Sequence, residues 1–127
     1  MQQAATAYAR VAQATQSPRE LEASVLLKAA SRLQAIRDNW DGRQADLDEA
    51  LTFNRKLWTV LVASATDAEN PLPQAIKNNI ANLALFIFER TITMMTEPAP
   101  EKLGALININ REIAAGLRAQ PQAASMS

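Results

Sequence analysis

An all-α fold, a single-domain antiparallel four-helix bundle with an additional N-terminal helix, is what this chain predicts from three features. Apolar residues recur at helical spacing over long stretches, prolines fall between those stretches, and no run alternates polar and apolar residues as a strand pair would. At 127 residues the chain also has the size of one domain. A chain of that length buries roughly two thirds of the surface its unfolded form exposes, which suffices for one core. The helical domain is expected over residues 1–119 as five helices, with residues 120–127 as a disordered tail.

The first segment, from about Gln3 to Thr15, is Ala-rich, with Tyr8 and Val11 as its large apolar side chains. So short a helix cannot recover its nucleation cost alone and must dock on something. Ser17-Pro18-Arg19-Glu20 then gives a capping Ser, a Pro at the first helical position and a Glu at the third, the sequence of a reciprocal capping box. In the helix that starts there, Leu26, Ala29, Leu33, Ile36 and Trp40 share one stripe, and Asp41-Gly42 is expected to end it with Gly42 in the left-handed conformation.

The third helix is expected from about Ala45 to Ala65, opened by Asp46, Asp48 and Glu49 at the positive end of its dipole. Leu47, Leu51, Trp58, Leu61 and Ala65 form one stripe, and Phe53, Leu57 and Val60 a second beside it. After the turn 67–73, Pro73 fits the first position of a helix running through Met95. That helix carries Ile76, Ile80, Leu83, Ile87 and Met94 on one face and Leu85, Phe88, Ile92 and Met95 on another. The last helix is expected from about Pro100 to Ala119, with Leu103, Leu106, Ile109, Ile113 and Leu117 inward.

Composition narrows the chemistry. The chain has no His and no Cys, so a Ser-His or Cys-His nucleophile pair is impossible, and a metal site would have to be built from oxygen alone. Its three glycines, at 42, 104 and 116, are too far apart for a phosphate-binding loop. Asp46 with Glu49 and Asp38 with Asp41 are the nearest to paired carboxylates, and each sits at a helix end where capping explains it. No enzyme activity, cofactor or metal is expected.

Thirteen basic and thirteen acidic residues balance, so no global field gathers nucleic acid or anionic lipid, although Arg32, Arg37, Arg55 and Lys56 are candidates to cluster on folding. The start lacks the pattern of a secretory signal, and the most apolar stretch, 80–95, is cut by Asn82, Glu89 and Arg90. A soluble, cytoplasmic protein without membrane or nucleic-acid partners is the expectation. What exceeds the needs of a bundle is apolar surface, since the third and fourth helices carry two stripes where one suffices. A surplus face either accepts an amphipathic helix from a partner or is covered by the N-terminal helix.

Two sets of motifs carry a resemblance. Ala7-Tyr8, Thr15, Ser17-Pro18 and Glu20-Leu21 resemble the start of FliS-type flagellin export chaperones, with a departure at Leu26 and Lys28, where that family usually carries Tyr and Gly. Leu26 to Leu33, Asn54-Arg55-Lys56-Leu57-Trp58, Asn70-Pro71-Leu72-Pro73, Asn79 to Leu83, and Ile109 to Leu117 resemble, in order, the FlaF family of flagellar biosynthesis regulators. The FlaF resemblance implies a protein that promotes flagellin synthesis or secretion alongside the regulator FlbT. The FliS resemblance implies a helical bundle holding the helical terminal region of unassembled flagellin. Combined with the surplus stripes, these likenesses point to a flagellin-binding groove formed by Phe53, Leu57, Phe86 and Phe88, with Tyr8 on its lid. The alternative is an adaptor that binds FlbT or another flagellar regulator and never touches flagellin.

Overall fold

The computed structural model describes residues 17–120, and within them all regular structure is helical. The four long helices are α1 (Pro18–Asp38), α2 (Leu47–Thr66), α3 (Gln74–Thr96) and α4 (Leu103–Ala119). The expected N-terminal helix at 3–15, and residues 121–127 of the expected tail, lie outside the described residues.

The Ser17 hydroxyl accepts from the Glu20 amide at 3.1 Å, so α1 starts where the sequence placed it. The reciprocal half of the box is replaced: the Glu20 carboxylate instead accepts from Arg118 Nε at 2.8 Å, tying the start of α1 to the end of α4. Ser17→Ala is expected to cost about 1 kcal/mol, because an N-cap oxygen satisfies a donor that has no partner within the helix. A chemical-denaturation midpoint left unchanged by the substitution would contradict that role.

Four boundaries differ from expectation. Helix α1 stops at Asp38, with Asn39 as its cap at φ −127° and ψ 48°, and Trp40–Arg43 follow as a separate helical turn. Gly42 does not take positive φ, so the expected left-handed cap is absent. Asn39 makes the exit instead, its amide and its side chain both donating to the Ala35 carbonyl. At the start of α2, Gln44–Asp46 form a 3-10 turn in which Asp46 accepts from Arg43 at 2.6 Å. Pro73 caps α3 rather than beginning it, and Pro100–Lys102 form a 3-10 turn before α4.

Cross-links tie each neighbouring pair together, and for α1 and α4 two of them set an antiparallel course. Arg111, midway along α4, donates to Gln34 in the last turns of α1, while Arg118 near the end of α4 donates to Glu20 at the start of α1. Arg32 of α1 reaches Glu49 near the start of α2. Lys77 Nζ, near the start of α3, donates to the Asp67 carbonyl just beyond α2. Arg90 of α3 donates to the Lys102 carbonyl just before α4. The packing is closest between α1 and α4 and between α2 and α3, and much thinner between α3 and α4.

One apolar core draws on all four helices, including Leu26, Leu33, Leu51, Trp58, Ile80, Ile87, Leu106 and Leu117. The first stripe read on α2 is buried along its whole length, while Ile76, Leu83 and Ile109 are half-buried against the core.

A polar network crosses this core. Trp58 Nε1 donates to Asn110 Oδ1 at 2.8 Å, and Asn110 Nδ2 donates to Asn54 Oδ1 at 2.7 Å and to the Leu26 carbonyl at 3.4 Å. The three side chains are fully buried and join α2, α4 and the backbone of α1. Asn54 Nδ2 is left without a partner, so the network contains one uncompensated donor.

Candidate partner-binding surface

Among the described residues the core is filled by one stripe of each helix, and the second stripes lie outside it. On α3 the spacing of three and four carries Leu85, Phe88, Ile92 and Met95 along one outward row. Leu85 is 65 % exposed, Ile92 64 % and Met95 45 %, and Phe88 is half-buried against the core between them. On α2, Phe53, Leu57 and Val60 make the corresponding row, in which Val60 is 68 % exposed and the other two are half-buried.

The groove candidates divide among three places. Phe53 lies under Arg32 of α1, whose guanidinium carbon stands 4.9 Å from the ring centre, so the α2 row borders α1. Leu57 lies one turn further along that row and packs on the core. Phe88 belongs to the outward row of α3. Phe86, two positions away and therefore on nearly the opposite side of α3, sits beneath Arg90 at 5.0 Å and lines a cleft of ≈ 350 Å³ with Glu89, Thr93 and Lys102. Tyr8 lies outside the described residues.

A second cleft of ≈ 230 Å³ opens nearer the other end of the α3–α4 seam, between Ile76, Asn79 and Leu83 on one side and Glu112, Ile113, Gly116 and Leu117 on the other. Both clefts lie along the thinly packed α3–α4 side. Of the four cations expected to cluster, Arg32 pairs with Glu49 and stacks on Phe53, and Arg37 pairs with Asp38 on its own helix. Arg55 and Lys56 are exposed.

Glu22 is half-buried on α1, and loss of solvent holds its carboxyl above the usual carboxylate range, with nearby Arg19 opposing. The folded state therefore binds this proton more tightly than the unfolded chain does. Stability falls as pH rises from the unfolded value, about 4.3, through the raised folded value, and the penalty persists above it. Glu22→Gln is expected to raise the melting temperature at neutral pH and to lose that advantage near about pH 4. An equal gain at both pH values would rule out desolvation of the carboxylate as its source.

Among the described residues no group of three or more His, Cys, Asp or Glu is placed to hold a metal ion, and no helix is long and apolar enough to cross a membrane. What the surface offers is apolar area in rows, bordered by a few cations and carboxylates. That arrangement suits the burial of a partner's helix by shape and hydrophobicity.

Sequence periodicity shows the rows but not which neighbour each one borders. It also leaves the placement of Asn54, Asn78, Asn79 and Asn82 open. The structure puts Asn54 in the core and the other three on the surface. Asn110 carries no separate signal, although its position one turn before Ala114 and one after Leu106 on the buried side of α4 would have found it.

Comparison with known proteins gives one match: a family model described as "Flagellar protein FlaF" aligns with residues 4–117. Searches of curated proteins and of solved structures return none.

Proposed function

Because the chain belongs to the FlaF family of flagellar proteins, we propose that it is a cytoplasmic, non-enzymatic flagellin-binding protein. It holds the helical terminal region of unassembled flagellin and so promotes flagellin synthesis or export. The observation that carries this reading is the row Leu85, Phe88, Ile92 and Met95 on α3, which the core built by the described residues leaves outward.

An unpolymerised helix with an apolar face aggregates unless that face is covered. Burial of ~600 Å² of apolar area corresponds to about 15 kcal/mol gross. Ordering the ligand and losing its free motion removes much of this, which leaves a complex that is stable but releasable.

The test is size-exclusion chromatography with light scattering on the protein mixed with monomeric flagellin and, separately, with FlbT. A 1:1 complex with flagellin supports the holding role. A complex with FlbT and none with flagellin establishes the adaptor role instead, with the same apolar rows serving a different partner.

A further inference from the structure

We infer that the seam between α1 and α2 is a docking strip for an amphipathic helix of another protein that carries acidic residues along the borders of its apolar stripe. This rests on the helix-holding reading above, assigns it a second surface distinct from the α3 row, and adds the chemistry of the partner that surface takes.

The strip is built from two edges fixed together where Arg32 covers Phe53. On α2 the edge continues through Leu57 to Val60. On α1 the residues at spacings of four, three and four from Arg32 backward are Lys28, Val25 and Leu21, which share its side of the helix. Leu21 is 39 % exposed and Val60 68 %, so apolar side chains stay open to solvent along the seam. Lys28 and Lys56 are exposed on its two borders, and neither has a carboxylate partner among the described residues. With Glu49 taken up by Arg32 and Glu22 half-buried beside Arg19, the two open charges along the strip are the ammonium groups of Lys28 and Lys56, so a chain with zero net charge carries a locally basic frame there.

That frame selects among occupants. A second copy packed symmetrically on this face would bring Lys28 and Lys56 near their own equivalents, which opposes association. The chain's first sixteen residues contain Arg10 and no Asp or Glu, so they offer the frame nothing to pair with. A partner helix with acidic borders satisfies both the apolar strip and the unpaired ammonium groups.

The probes are two synthetic amphipathic peptides with the same apolar stripe, one with Glu at every border position and one with Lys, titrated into the full chain. The Glu-bordered peptide is expected to bind at least about ten-fold more tightly, with an advantage that shrinks as salt is raised. Lys28→Glu combined with Lys56→Glu reverses the preference, and Val60→Asp weakens both peptides, with melting temperatures near wild type. Equal affinity for the two peptides, or a preference that survives the double charge reversal, would overturn the proposal.

Dimers of the free protein dispersed by Val60→Asp would assign the strip to a second copy and overturn it as well. So would a spin label at Tyr8→Cys, the sole cysteine of that variant, if it relaxed signals from Leu57 and Val60 in the free protein. Failure of flagellin to bind while the peptide preference holds would remove flagellin as the partner and leave the acidic-helix chemistry standing. Flagellin binding with no peptide preference would remove the strip alone.

Discussion

Asn110→Leu is expected to lower the stability of the protein by about 3–5 kcal/mol. The amide of Asn110 is the hub of the buried network, accepting from Trp58 and donating to Asn54 and to the Leu26 carbonyl. Leucine fills the space but leaves the indole N–H and the Asn54 oxygen buried without partners, and each such orphan costs roughly 1–3 kcal/mol. For a domain whose whole stability is of order 5–15 kcal/mol, that is a large fraction.

Asn54→Leu is expected to cost less than half as much. Asn54 Nδ2 already lacks a partner, so the substitution removes an existing penalty along with the acceptor it takes from Asn110. Urea denaturation of the two variants measures the asymmetry, and equal losses would mean that the network is not organised around Asn110.

Leu85→Asp with Ile92→Asp is expected to reduce flagellin affinity by at least ~100-fold while leaving the melting temperature nearly unchanged. Both side chains are about two thirds exposed, so neither contributes much to the core, and surface changes of this kind stay within about 0.5 kcal/mol. In the complex each forfeits about 1.5–3 kcal/mol of apolar burial and sets a carboxylate against an apolar surface. Together these exceed the ~2.7 kcal/mol that a hundred-fold change requires. If the double variant melted far lower than wild type, the row would belong to the fold, and a loss of binding would say nothing about a partner.

Much of the fold is legible in the residues. The stripe Leu47, Leu51, Trp58, Leu61 and Ala65 reads as buried because periodicity reports burial directly, and the structure buries all five. Ser17-Pro18 marks a helix start because the cap is a local hydrogen bond. The exit from α1 was less legible, since Asn39 competes with Gly42 to end the helix and makes its own bond to Ala35. Glu20 likewise had a local partner in view, and a residue 98 positions away won it.

The candidate site reads in the sequence as an excess of apolar surface and not as a shape. Phe86 and Phe88 are close in sequence yet lie on opposite sides of α3, so they serve different surfaces, and Phe53 turns toward α1 under a guanidinium that no spacing rule places there. The polar core is similar: Asn54, Trp58 and Asn110 all lie within the strings that carry the FlaF resemblance, but only packing shows them to be one network.

The flagellin-holding role is tested most directly by calorimetric titration of the protein with monomeric flagellin and then with flagellin lacking its C-terminal helix. The role requires saturable 1:1 binding with a negative heat-capacity change, abolished by the truncation, because the signal comes from burying that helix's apolar face. Absence of heat and of complex with a folded sample, or binding undiminished by the truncation, would contradict it.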